Sequence, residues 1–256
     1  MMACTFTRPV ITLPSVYKEG SEGLQAPYLW PFRDSGVKLI RMHPRKAANI
    51  KDSGMTEPTM TLKGIDIFQG HADRDMQAAL LDDLRDVIRA APLFSPVTAG
   101  GKPMSVRMTS AGRLGWVSDR AGYRYQDHHP QGTAWPKIPA RVLGLWHDLV
   151  DPVRPPDCCL VNFYGEGARM GLHQDKDERD FSWPVLSLSL GDDGLFRVGG
   201  TRKGEPTASV WLKSGDVLRM GGAARMAFHG VDRIRFGSSR LLPKAGRINL
   251  TLRVVE

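Results

Sequence analysis

The sequence predicts an α+β fold in which helices come first and an antiparallel β-sandwich or jelly roll follows. Three observations predict it. Two stretches in the first 150 residues carry apolar side chains at helical spacing. From Asp157 onward the chain breaks into short alternating or wholly apolar runs separated by turn residues. No internal repeat and no apolar run of about 18 residues suggests a solenoid or a membrane span. Helices followed by many strands, rather than alternating with them, separate this pattern from a parallel α/β sheet.

Residues 1–60 are rich in Pro, Gly, Ser and scattered charge, with no sustained period, and read as an irregular N-terminal extension. Within it PYLWPF, from Pro27 to Phe32, reads as a docking anchor, because an exposed Trp30 and Phe32 would be unfavourable. Residues 61–256 read as the main domain. Its first helix follows His71, with Met76, Leu80, Leu84, Val87, Ile88 and Ala91 on one face and Pro92 as its stop. A second runs roughly from Pro139 to Val150, with Val142, Trp146, Leu149 and Val150 on one side. Between them, about residues 104–130, lies a Gly-rich, aromatic and basic stretch of hairpins and loops. The β core spans about residues 157–256, through the runs CCLVNFY, PVLSLSL, SVWLKSGDVLRM and RINLTLRVV.

Charge and cysteine usage narrow the function classes. The formal net charge is +8, and Gly200 to Glu256 holds 11 basic against 4 acidic residues. Such a balance favours polyanions, and equally suits a soluble protein kept from self-association by charge. Three cysteines, two of them adjacent, make no disulfide framework and point to a reducing compartment, the cytoplasm. The absence of a CxxC pair rules out a zinc ribbon. MMACTFTRPV lacks the long apolar core of a signal peptide, so no membrane partner is expected, and a monomer is.

NFYGEGARMGLHQDKDE carries the chemistry. His173 and Asp175 are two apart, so in extended chain they share a face. AFHG supplies His229 far downstream. Two His and one carboxylate form the facial triad of non-haem iron(II) oxygenases, leaving positions open for co-substrate and dioxygen. A second HxD, His71 and Asp73, opens the first helix, where Asp73 or Asp75 serves as cap or dipole partner.

RINLTLR alternates: Arg247, Asn249, Thr251 and Arg253 face one way, and Ile248, Leu250 and Leu252 the other. Two inward arginines need an anionic guest, because unpaired buried charge is prohibitive. 2-Oxoglutarate offers two carboxylates, each matching a guanidinium fork. Six residues of extended strand span about 20 Å, longer than that ligand, so the side chains must converge or the strand must twist. Asn162 and Tyr164 share a face of NFY, and Ser187 and Ser189 a face of LSLSL. Half-exposed sheet with polar residues in water is the bland alternative for each strand.

Together these segments resemble the AlkB family of 2-oxoglutarate-dependent nucleic-acid dealkylases. The resemblance rests on NFYGEGARMGLHQDKDE, SLSLG, GGTRKGEP, SGDVLRMGG, FHG and RINLTLR in that order, with MTSAGRLGWVSDRAGYRY before them. It runs from about Met104 to Val254. It implies a double-stranded β-helix core, a nucleotide-recognition lid at about residues 104–130, and iron(II), 2-oxoglutarate and dioxygen as metal and co-substrates. Arg247, helped by Tyr164, would pair with the distal carboxylate. Arg253 would approach the metal-chelating end, with Asn162 and Asn249 nearby. Trp116 would stack on a flipped base opposite His173, Tyr123 and Tyr125 would meet the substrate backbone, Met108 would line the lid, and Asp177 would sense the damaged base.

The reaction implied is oxidative demethylation of bases such as 1-methyladenine and 3-methylcytosine in single-stranded or damaged DNA, with release of succinate, carbon dioxide and formaldehyde. Met220 departs from the pattern, standing where bacterial members often carry an aromatic. The same architecture acting on RNA, protein or a small molecule is the alternative reading. A non-catalytic jelly-roll module would be expected to lack a ligand or an anion-binding Arg, and both sets are present.

Overall fold

A computed structural model of the protein describes residues 56–256. The PYLWPF segment and Cys4 lie outside the described residues.

Two strands precede the first helix: β1 (Met60–Leu62) and β2 (Ile65–Phe68). Lys63 and Gly64 join them with φ of 50° and 81°, a two-residue hairpin turn of the kind whose twist matches its strands. The sequence reading missed this pair, although its I-D-I alternation after a Lys-Gly turn was a usable signal. Helix α1 (Arg74–Ala90) starts where the Asp73 carboxylate accepts the Met76 N–H at 2.8 Å. The HADRD carboxylate is therefore a helix cap. The chain continues through β3 (Arg107–Gly112), the hairpin β4 (Gly115–Asp119) and β5 (Gly122–Gln126), and helix α2 (Ala140–Leu149). Then come β6 (Cys158–Tyr164), β7 (Met170–His173), β8 (Val185–Gly191), β9 (Asp193–Val198), β10 (Ala208–Leu212), β11 (Val217–Met220), β12 (His229–Arg235) and β13 (Arg247–Arg253).

The strands form a large sheet in the order β1-β2-β11-β8-β13-β6-β3 and a small sheet in the order β10-β9-β12-β7, with β4-β5 as a separate ribbon. Every pairing is antiparallel. This is the jelly-roll arrangement of a double-stranded β-helix. SVWLKSGDVLRM, read as one run, is two strands: β10 belongs to the small sheet and β11 to the large one.

Period-two alternation sorts the large sheet's faces. Cys159, Val161, Leu186, Leu188, Leu190, Ile248, Leu250 and Leu252 pack outward against Leu80 and Leu84 of α1 and Val142, Trp146 and Leu149 of α2. Ile65, Ile67, Val185, Leu218 and Met220 face inward, toward Phe196, Val198 and Leu212 of the small sheet. Other inward positions are polar or charged, among them Asn162, Ser187, Arg247, Asn249, Thr251 and Arg253, and these six line a cavity. A sheet that is sealed on one face and polar on part of the other holds a site between its layers. No helix among the described residues is long and apolar enough to cross a membrane.

Candidate active site

His173 ends β7 and His229 begins β12, and the two are register partners across that pair of strands. Asp175 follows on the segment leaving β7. One ligand atom from each of the three lies within 4.8 Å of the others. His173 Nε2 is 3.6 Å from Asp175 Oδ1, and His229 Nε2 is 3.7 Å from Asp175 Oδ2. Metal bonds of about 2.1 Å put the ligands of one ion within about 4.2 Å of each other, so both separations suit a shared ion.

The backbone chooses the tautomers. His173 Nδ1 lies 2.9 Å from the Gly171 carbonyl, and His229 Nδ1 lies 3.0 Å from that of Ala227. A carbonyl only accepts, so each Nδ1 carries the proton and each Nε2 turns a lone pair toward the third ligand. Burial holds the His229 imidazole down to about 4, against the pull of Asp175. Burial alone would raise the Asp175 carboxyl, but Arg253, His229, His173 and Arg225 hold it at about 2. A neutral His229 imidazole and an ionised Asp175 carboxylate are charge states that suit a divalent metal.

Beside the triad the cavity, about 680 Å³, reaches down between the sheets. Arg247 lies at its base, fully buried. Its guanidinium donates to Ser189 Oγ at 2.6 Å and to the Asp192 and Leu212 carbonyls at 3.2 and 3.4 Å. It makes no ion pair among the described residues, and its Nε has no partner. Such a cation calls for an anionic guest. Tyr164 lines the same cavity, its hydroxyl pushed up to about 12 by burial, so it stays a donor. Asn162 Oδ1 is buried without a partner, and Asn249 is held by its Nδ2 donating to Ser187 Oγ at 2.7 Å and to the Leu188 carbonyl at 3.1 Å. Arg253 lies at the metal end, its NH2 2.9 Å from Asp175 Oδ2. Although six residues apart, Arg247 and Arg253 border one cavity.

The β4–β5 ribbon meets the cavity's mouth. Trp116 stacks on Tyr123, with ring centroids 5.7 Å apart and planes at 16°, and its Nε1–H donates to Asp177 Oδ2 at 2.9 Å. Trp116, Tyr123, Asp177 and Met108 all line the cavity, Met108 from β3. Tyr125 is different. Its hydroxyl turns inward, donating to Glu178 at 2.6 Å and accepting from Arg253 at 2.9 Å. Two buried residues escaped the sequence reading, Glu178 and Arg225, which form an ion pair of 3.1 Å beneath the triad. Glu178 stands inside HQDKDE, but an acidic run usually reads as a solvated face.

Residues 64–253 match the model of the 2OG-Fe(II) oxygenase superfamily. The chain is also 54% identical over 200 residues to an alpha-ketoglutarate-dependent dioxygenase AlkB homolog of Caulobacter vibrioides, covering 78% of this chain and 91% of that protein. The chain belongs to the AlkB family. It is 39% identical to the alpha-ketoglutarate-dependent dioxygenase AlkB of Escherichia coli, over 68% of this chain and 82% of that one. The solved structure of OsALKBH1 superposes with a TM-score of 0.65 at 31% identity, over 77% of this chain and 99% of that one.

As an AlkB-family oxygenase the protein uses iron(II), 2-oxoglutarate and dioxygen. When bound, the iron and its co-substrate supply oxidative decarboxylation coupled to hydroxylation of an unactivated carbon. The residues fit both groups. His173, Asp175 and His229 would hold the metal. The unpaired, buried cation of Arg247 would take one carboxylate, with the Tyr164 hydroxyl beside it.

Proposed function

We propose that this AlkB-family chain repairs N-alkylated bases in DNA, such as 1-methyladenine and 3-methylcytosine, by oxidative demethylation. One observation carries the reading: a single cavity is bordered by the metal triad and by Trp116, Tyr123 and Asp177. An aromatic platform next to an oxidising centre suits a planar heterocycle. The alkyl groups in question sit on the Watson–Crick edge, so the base must leave its stack, at least cost from single strands or unpaired lesions. Stacking on an aromatic contributes about 1–3 kcal/mol per base. Hydroxylation of the N-alkyl carbon leaves a hemiaminal, which collapses to formaldehyde and the free base.

Charge supports the same substrate. Bases alkylated at these nitrogens are cationic, and Asp177 brings a carboxylate to the cavity's mouth. Lys102, Arg169 and Lys176 border that mouth and would meet phosphates. Cys158 and Cys159 are buried free thiols, in keeping with a reducing cytoplasm, and we take the acting form to be the monomer. The domain boundaries we propose are an N-terminal stretch of about residues 1–60 and a catalytic stretch of about 61–256, with Met60 of β1 going with the latter, a lid at about 104–130 and a core at about 157–256.

The test is formaldehyde release from 1-methyladenine and 3-methylcytosine in single-stranded DNA, duplex DNA and RNA, beside unmethylated controls. We expect release from methylated single-stranded DNA in equal amount to succinate. Succinate without formaldehyde on every methylated strand would overturn the repair reading and leave the oxygenase intact. Faster release from RNA would move the substrate class to RNA.

A further inference from the structure

Under the triad four charged side chains close a ring. Arg253 NH2 faces Asp175 Oδ2 at 2.9 Å, and Arg253 NH1 faces Glu178 Oε1 at 3.3 Å. Glu178 Oε2 faces Arg225 NH2 at 3.1 Å. Arg225 NH1 then donates to the backbone carbonyl of Asp175 at 2.7 Å, which returns the circuit to the metal ligand. Arg225 Nε donates to the Trp183 carbonyl at 3.0 Å, and its guanidinium lies over the Phe181 ring at 5.2 Å. The side chains of Glu178 and Arg225 are 0% and 3% exposed, and those of Asp175 and Arg253 are 5% and 8% exposed. Two cations and two anions balance, so the ring is neutral before any metal binds.

Tyr125 connects this ring to the β4–β5 ribbon. Its hydroxyl donates to Glu178 Oε1 at 2.6 Å and accepts from Arg253 NH1 at 2.9 Å. One strand of the ribbon is thus pinned to the two charged groups beneath Asp175, while Trp116 and Tyr123 of the same ribbon border the cavity. Pairs of this kind have two consequences. A buried carboxylate between two guanidiniums fixes both, because neither can leave without stranding charge. And a hydroxyl that both donates to the carboxylate and accepts from the guanidinium is specific for that arrangement.

We propose that Glu178 is a positioning residue: held by Arg225, it sets Arg253 against the metal ligand Asp175, and through Tyr125 it ties the β4–β5 ribbon to the metal site. It touches neither metal nor substrate. The ribbon's position and the set of Asp175 are therefore one variable, so loosening either loosens the other. This coupling holds whichever substrate the ribbon meets.

The test uses the full chain and its Glu178→Gln and Tyr125→Phe variants. Manganese(II) affinity of the metal-free protein is measured by titration, and amide hydrogen exchange of Gly122–Gln126 is followed with and without the metal. Glu178→Gln keeps the shape and leaves one guanidinium charge unbalanced beside the metal, so manganese(II) should bind at least tenfold more weakly. Tyr125→Phe leaves all four charges in place and removes hydrogen bonds only, so a loss of about two- to tenfold is expected. In the full chain, metal should slow exchange in β5, and in both variants that slowing should disappear. Affinity within twofold of the parent in Glu178→Gln, or metal-dependent protection of β5 that survives in Tyr125→Phe, overturns the proposal. If Glu178→Gln does not fold, Tyr125→Phe decides alone. No nucleic acid enters either measurement, so failure of the demethylase reading leaves this result standing.

Discussion

Arg247 shows what one residue can be asked to do. Its guanidinium is fully buried, burial lowers its pKa, and no carboxylate among the described residues pairs with it in contact, Asp216 and Asp193 acting on it only from a distance. A free protein gains little from such a group, since replacing a buried charge with an apolar side chain of similar volume is often neutral or stabilising. Its value would lie in a complex with an anion. Arg247→Met should leave the melting temperature of the ligand-free protein unchanged or raised by a few degrees. Saturating 2-oxoglutarate at about 100 times its Kd stabilises a binding protein by about 2.7 kcal/mol, and the variant should lose that increment. A thermal melt with and without the co-substrate checks both halves. A ligand-free variant that melts far below the parent would show that Arg247 is structural. That Arg247 faces inward was legible in the alternation of RINLTLR. Which neighbours it lacks was not, because a missing counter-ion is a property of the whole cavity. Glu178 and Arg225 were illegible for the same reason: they stand 47 residues apart in sequence, and each alone looks like ordinary surface charge.

At the scale of elements, the metal site depends on how closely β12 lies against β7. His229 pairs with His173, and the register slips directly after it, between His229 and Val231. Gly230 occupies that slip. A Cβ there would stand 2.5 Å from the Met170 carbonyl oxygen and 2.7 Å from that of Gly171, and backbone cannot give way as a flexible side chain can. Gly230→Ala should therefore push the two strands apart and separate the imidazoles. Iron(II) affinity should fall by tenfold or more, while far-UV circular dichroism stays near the parent, because the large sheet and both helices are untouched. Unchanged metal binding in a folded Gly230→Ala protein would show that the slip is not needed. The small sheet is also where sequence reading was weakest. β12, HGVDRIR, buries Gly230, Val231 and Ile234 and shows Arg233 and Arg235 to solvent. Its apolar period is broken by a second register shift, between Val231 and Arg233 against β9, so it offered no clean alternation. β6, β8 and β13 lie in the large sheet, packed on one face by the helices, and their leucine-rich runs were plain.

On the scale of the molecule, the residues before Asp52 and those after it should not be equally dispensable, and the difference is expected to fall before β1. Ile65 and Ile67 of β2 are fully buried in the core between the sheets, and Phe68 joins Leu80, Leu81, Leu84 and Val87 of α1 in the core behind the large sheet. β2 also covers the edge of β11, which would otherwise present unpaired backbone to other chains. Burying a side chain of this size contributes about 1.5–3 kcal/mol, so these seven together amount to about 10–20 kcal/mol, as large as the whole stability of an ordinary domain. A chain beginning at Ala91 keeps every residue of the triad and of the arginine strand, yet it should not fold. A chain beginning at Asp52 keeps β1, β2 and α1, and it should melt cooperatively and bind iron(II) within a few fold of the full protein. Soluble expression, thermal melts and metal titration of the two chains would decide the matter. Cooperative melting of the Ala91 chain near the parent temperature would mean that β2 and α1 lean on the core without supporting it.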